Sequence, residues 1–176
     1  MRHFLLMISC GLIQPCFAIC SSQIESQTPN TRYQILNNGS EVKDLKTRLI
    51  WQRCSVGQTW TGSSCEGEAT SYTWPHALAA VKAGDSLWRL PNIKELYSLV
   101  NIACYNPAIN EPIFPNTPNA AYWSSSPLPS PSLGGAYAWT VTFGSFFLAK
   151  SLSGSAELAL VDYQLMLRLV RDNAAN

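Results

Sequence analysis

Hydrophobic and polar positions change their period several times along the chain. Residues 33–53, YQILNNGSEVKDLKTRLIWQR, set short β-prone runs between turn signals. Asn37-Asn38-Gly39-Ser40 predicts a turn, and Glu41 to Lys43 and Arg48 to Gln52 predict strands, the second carrying Ile50 and Trp51. From Thr73 to Lys82 the period becomes helical: Trp74, Ala77, Leu78 and Val81 fall on one face. Thr73 is placed as N-cap, Pro75 is tolerated in the first turn, and Gly84 is the stop. A second helix follows Pro91. Asn92 as N-cap and Glu95 three residues on predict a capping box, with Ile93, Leu96, Leu99, Val100 and Ala103 as the buried stripe. Between the helices, Trp88 and Leu90 are expected to turn inward from a short extended piece that Pro91 ends.

Beyond Glu111 the pattern loosens. No charged residue occurs until Lys150, and Pro112, Pro115, Pro118, Pro127, Pro129 and Pro131 punctuate loop-rich terrain with strands embedded in it. AYWSSSP (121–127) and AYAWTVTFGSFFLA (136–149) predict strands, the second a hairpin turning at Gly144-Ser145. In YQLMLRLVRD, Leu165, Leu167 and Leu169 alternate with Met166, Arg168 and Val170, which predicts a central final strand. No internal repeat is visible. With 176 residues, 47% hydrophobic and 13% charged, the composition suits one compact domain.

At the start, Arg2 and His3 precede an apolar run from Phe4 to Ile13, then a Pro15 break and a small residue at Ala18. This is the layout of a secretory signal peptide over 1–18, followed by a segment 19–32 and a domain over 33–172. The run is too short for a permanent bilayer span, so no transmembrane helix is expected after cleavage. Met7-Ile8-Ser9 is a poor approach to a lipidated Cys10. Cleavage takes Arg2 from the 12 basic residues and no acid from the 11 acidic ones, so the formal charge falls to zero. Nucleic acid is therefore not an expected partner: only Lys43, Lys46, Arg48 and Arg53 lie close together, and Glu41 and Asp44 interrupt them.

Cys10 and Cys16 leave with the leader, and Cys20, Cys54, Cys65 and Cys104 remain. An even number in an exported chain implies disulfides, with three connectivities open. The turn-rich loop RCSVGQTWTGSSCEG favours Cys54 with Cys65, worth about 3 kcal/mol of chain entropy, and leaves Cys20 with Cys104. Zinc is not expected, because no C-x-x-C pair is present and His76 is the one histidine left. Asn38-Gly39-Ser40 also fits a glycosylation sequon, but the turn is the preferred reading.

Eight phrases in order carry a resemblance: LIWQRC (49–54), TWPHALAA (73–80), WRLPNIKEL (88–96), YNPAIN (105–110), FPNTP (114–118), YWSSSP (122–127), AWTVTFG (138–144) and LRLVRD (167–172). Together they resemble the C-terminal domain family of the Legionella collagen-like adhesin, over residues 33–172. That resemblance implies an α+β protein with a C-type lectin-like fold: two helices flank a twisted antiparallel sheet, and a long loop region separates the second helix from the last strands. The RLP phrase and the R-L-V-R strand are also similar to the same places in formylglycine-generating enzymes. Within such a fold, Arg89 and Arg168 are expected to hold backbone carbonyls or a carboxylate. There are departures. Members often show Thr-Gly-Leu where this chain has Thr47-Arg48-Leu49, and 145–163 is more apolar than the polar hairpin expected there.

Catalytic chemistry is not expected. His76, on a helix surface, leaves no Ser-His-Asp arrangement. The enzymes just named use two cysteines late in the domain, and none follows Cys104 here. Glu111, Glu157 and Asp162 have no spacing that suggests a glycosidase pair. Glu111-Pro112 resembles the Glu-Pro start of a lectin calcium site, but Ile113 replaces the oxygen donor that a hard cation wants. Catalytic residues, metals and cofactors are therefore expected to be absent. What remains is an uncharged loop surface, with Tyr105, Asn106, Tyr122, Trp123, Ser125 and Tyr137 as candidate ligand-binding residues, although most aromatics of this region are expected in the core. Aromatic faces beside hydroxyls and amides suit neutral sugars or a protein partner. The adhesin that names the family is associated with sulfated polysaccharides, but the stretch between Glu111 and Lys150 offers no cation to them. The expected function is an exported, non-enzymatic module that recognises a glycan or another surface polymer, in attachment. It would be periplasmic, on the cell surface or secreted. The alternative is a structural or assembly component of a cell-surface apparatus, with the apolar segments 143–149 and 156–161 packed on a protein partner.

Overall fold

The computed structural model describes residues 18–128, 136–144 and 153–173. Nearly all of the expected leader, and part of the 136–149 hairpin, lie outside them. In chain order the elements are β1 (Ile19–Cys20), β2 (Tyr33–Leu36), β3 (Glu41–Asp44), β4 (Ile50–Gln52), β5 (Thr59–Trp60), β6 (Cys65–Glu66), α1 (Trp74–Ala83), α2 (Ile93–Tyr97), β7 (Cys104–Tyr105), β8 (Ala121–Leu128), β9 (Tyr137–Thr142), β10 (Ser155–Leu160) and β11 (Val170–Arg171). They form a four-stranded sheet β11-β4-β3-β2, a three-stranded sheet β10-β9-β8, and the ribbons β1-β7 and β5-β6. Every pairing between these strands is antiparallel, so the fold is α+β.

Local chemistry accounts for the connections. Asn37 and Asn38 take positive φ of 46° and 51°, which a short amide side chain tolerates, and reverse the chain between β2 and β3. Arg48 has φ 64°. It occupies the position where the resemblance implies glycine, and an L side chain in this left-handed region is strained. Around α1, Thr73 sits at the N-cap without a side-chain bond, and Pro75 lies in the first turn. Asn92 and Glu95 form the full capping box of α2.

Three expectations are corrected. Helix α2 ends at Tyr97 instead of running to Ala103, because the Ser98 hydroxyl donates to the Glu95 carbonyl at 2.6 Å and Asn101 turns the chain by accepting from Ala103 N–H. Leu96, Leu99, Val100 and Ala103 are nevertheless buried. The strand that returns against β9 is β10, with Ser155 opposite Thr142, so it begins beyond the expected 146–149. Gly144 serves close packing, since a Cβ there would stand 2.4 Å from the Asn119 backbone. The C-terminal strand shrinks to β11 at the edge of its sheet, although the residues before it do thread the centre. Leu165 exchanges backbone bonds with Tyr72, Met166 lies between Ala121 and Trp123, and Leu167 and Leu169 accept from Val56 and Gln52.

Residues Ala121 to Ser124 of β8 are buried on both faces. Successive side chains of a strand point to opposite sides, so Tyr122 enters the cluster of Trp51, Leu96, Phe114 and Phe143. Trp123 enters the second cluster, with Ala77, Leu90, Leu165 and Leu167. Both are 0% exposed, which corrects their expected place on a binding surface. Trp123 Nε1 donates to the Tyr72 carbonyl at 2.7 Å, and the Tyr122 hydroxyl shares a 2.7 Å hydrogen bond with Ser55.

Arg53 and Arg168 tie the strand-poor loops to this core. Arg53 donates to the carbonyls of Ile113, Gly39 and Pro112. Arg168, 0% exposed, donates to the carbonyls of Gln52 and Arg53 and to Thr117 Oγ1, and lies 4.9 Å from the Phe114 ring centroid. Burial pulls both guanidinium pKa values below the ordinary arginine value. Cys54 pairs with Cys65 and Cys20 with Cys104. The second bond lies within the β1-β7 ribbon, where Cys20 stands opposite Cys104.

Candidate functional site

Helix α1, the connector and α2 enclose a cleft of about 610 Å³. Leu78, Val81 and Leu90 give it apolar walls, and Lys82, Asn92 and Ser125 stand among its polar residues. Trp88, expected inside, is half-buried and lines this cleft, whereas Leu90 is 4% exposed and in the core. Two contacts fix the tryptophan. Its backbone N–H donates to the Asp85 carbonyl, and the Arg171 guanidinium lies 5.3 Å from the ring centroid. Arg171 is itself held by Glu41 at 2.7 Å.

Arg89 shapes this cleft as a positioning residue. Its fork meets both Glu95 oxygens at 2.8 and 2.9 Å and reaches Asp172 at 2.8 Å. The hydrogen bonds to Glu95 first, and that to Asp172 after them, raise its pKa above the ordinary arginine value against the opposing effect of burial. Glu95 Oε2 also accepts from Asn92 N–H, so the arginine anchors the same carboxylate that starts α2. Its two carboxylate partners match one of the roles the family resemblance implied for Arg89.

A second cleft, of about 330 Å³, is lined by Ser40, Glu41, Gln52, Gln58 and Trp60 among others. Trp60 belongs to β5, inside the loop closed by Cys54 and Cys65. Its Nε1 donates to the Asn38 carbonyl at 3.1 Å, and the Arg53 guanidinium sits 4.4 Å from its ring centroid. The ring packs so closely on Gly39 that a Cβ there would come within 2.7 Å of it. A third cleft, of about 510 Å³, lies under the N-terminal segment, where Ala18 N–H donates to Glu111 Oε2.

The six residues expected at the binding surface do not converge. Tyr105, 49% exposed, lies on the β1-β7 ribbon, and the Asn106 N–H donates to Ser153 Oγ. Tyr137 begins β9 opposite Leu128 and Leu160. Ser125 lines the helix cleft, with its amide and hydroxyl on the Pro91 carbonyl. Tyr122 and Trp123 are core residues. Trp60, Trp88 and Asn92 are not among the ligand contacts that the sequence suggests. A signal for Trp60 existed, since a tryptophan inside a turn-rich disulfide loop has little core to enter.

Among the described residues no three His, Cys, Asp or Glu side chains gather as a metal cluster, and no helix is long and apolar enough to cross a membrane. The disulfides suit an oxidising compartment, extracellular or periplasmic. No curated protein and no solved structure matches the chain. The family model described as the Lcl C-terminal domain matches residues 40–171, and the chain belongs to that family.

Proposed function

We propose that this chain is an exported, non-enzymatic binding module that recognises a glycan or another surface polymer, in attachment. The observation that carries the proposal is the helix cleft. It sets a half-buried Trp88, packed on Arg171, in one cleft with the Asn92 amide and the Ser125 hydroxyl, while Arg89 is already matched by carboxylates. An aromatic face with a few placed polar groups is what a sugar ring needs for stacking and orientation. Membership of a family named for an adhesin's C-terminal domain supports attachment as the setting. The finer description as a C-type lectin-like fold is part of the same proposal. It is supported by two successive helices, the strand-poor stretch after α2, and a C-terminal strand that returns to β4.

A broad glycan array with the purified, disulfide-intact protein, run with calcium and with a chelator, tests this. Saturable binding to neutral glycans is the expected result. Binding confined to sulfated glycans would overturn the neutral specificity, and silence across the array would overturn the glycan reading. A structural role with a protein partner is the second reading. It is favoured by β10, an edge strand on which Leu158 is 37% exposed. Phe143, expected on that apolar surface, is buried. One stoichiometric protein recovered from envelope extracts would support this second reading.

A further inference from the structure

We infer that the helix cleft is one end of a continuous groove that takes an extended, uncharged polysaccharide chain across two tryptophan platforms, Trp88 and Trp60. The inference rests on the glycan reading above and extends it from a single sugar to a chain. Its basis is a small cleft of about 180 Å³ whose walls overlap those of the two larger ones. This connecting cleft shares Val81 and Trp88 with the helix cleft, and Gln52, Val56 and Leu169 with the cleft at Trp60. The three clefts thus share wall residues, and on the inferred path a chain runs from Ser125 past Trp88 to Trp60.

Both platforms are held before any ligand arrives. Arg171 stands against Trp88 and is locked by Glu41. Arg53 stands against Trp60, and its fork is occupied by three backbone carbonyls. Rigid aromatic planes lose little conformational entropy on binding, which is the property a stacking surface for weakly polar rings requires. Charge selects among polymers. The groove walls carry Lys82 and Arg89 against Glu41, Asp85 and Glu95, and of the two arginines behind the platforms Arg171 is paired with Glu41 while Arg53 is buried on backbone carbonyls. A sulfated or uronate chain meets no positive excess there, so the fitting ligand is neutral. Each end cleft is within the usual range of small-ligand pockets, about 300–1,000 Å³. A single ring can therefore occupy one end, and only a chain engages both tryptophans.

Length dependence tests this. Titration calorimetry with cello-, chito- and malto-oligosaccharides, from monosaccharide to octasaccharide, is expected to show weak binding of the shortest members of one series. Affinity should then climb at least about tenfold to a plateau once both platforms are engaged. Trp60→Ala and Trp88→Ala are each expected to cut long-chain affinity at least about tenfold. Ala80→Trp, on the exposed side of α1 in the connecting cleft, should remove the length dependence without removing short-ligand binding, and it keeps the test open if Trp88→Ala fails to fold. Affinity that stops rising at the disaccharide, or a Trp60→Ala protein that holds long chains normally, would overturn the groove and leave the glycan reading standing. Preference for sulfated over neutral chains would also overturn it. Failure of every glycan on the array and in every series would defeat both.

Discussion

Replacing Arg168 with methionine keeps most of the side-chain volume and removes the donors that tie three segments together. In the folded protein the guanidinium serves the carbonyls of Gln52 and Arg53 at the end of β4, Thr117 Oγ1 in the strand-poor loop, and, at 3.4 Å, Ser55 Oγ. A hydrogen bond from a charged donor contributes roughly 1.5–3 kcal/mol, and an acceptor left buried without a partner costs about 1–3 kcal/mol. The opposing effect is large. Arg168 is fully buried, its hydrogen-bond partners among the described residues include no carboxylate, and its Nε finds no acceptor among them. The variant therefore recovers several kcal/mol of desolvation. The balance should be a loss of about 2–4 kcal/mol, or a fall in Tm of roughly 5–15 °C for a domain of this size. Arg168→Lys should restore less than half, since one ammonium cannot span acceptors on both sides as the fork does. Urea and thermal denaturation of the three proteins measure this. If Arg168→Met melts within about 1 °C of the parent, the arginine does not hold the loops, and the account of the core is wrong.

Three further outcomes follow from the geometry. Asp44 is buried, which disfavours its charge, but hydrogen bonds from Arg32, Thr47 and the Lys46 N–H outweigh this and lower its pKa below the ordinary aspartate value. A depressed folded value means stability that is present above the unfolded value, near 3.9, and lost as pH falls through the folded one. Asp44→Asn should flatten that acid limb in melts taken between neutral pH and about pH 2, and an unchanged limb would contradict the assignment. Cys20–Cys104 closes a separation of 84 residues and Cys54–Cys65 one of 11. Chain entropy then assigns about 4.5 and about 3 kcal/mol, so the Cys20→Ser/Cys104→Ser double variant should melt lower than Cys54→Ser/Cys65→Ser, and the reverse order would contradict the estimate. Arg48→Gly should relieve the left-handed strain at φ 64° and raise stability by about 0.5–1 kcal/mol after the entropy of glycine is allowed for, whereas a lower Tm would show the turn to be unstrained.

Much of the local structure was legible because its causes are local. The capping box of Asn92 and Glu95, the stop at Gly84 and the small disulfide loop are each written within a dozen residues. The binding surface was harder. Tyr122 and Trp123 sit in a strand covered on both faces, and such a strand has no polar alternation to announce its burial. Trp88 reads as an inward residue of the connector. It lines a cleft because Arg171, 83 residues away in sequence, takes up one side of it. The groove draws on β4, the disulfide loop, α1, the connector and the segment before β11, so no local period could outline it. Trp60 could have been found from composition, and its link to Trp88 could not.

The central claim is that a neutral glycan chain lies along Trp88 and Trp60. The most direct measurement is ¹H–¹⁵N chemical-shift mapping of the labelled, disulfide-intact protein with the tightest-binding oligosaccharide of the array. The indole N–H signals of Trp60 and Trp88 and the amides of Val81, Asn92 and Ser125 should move together in a saturable way, with those of the buried Trp51 and Trp123 still. Shifts gathered instead on Tyr105, Asn106 and the cleft beside Glu111 would place the ligand elsewhere and contradict the account.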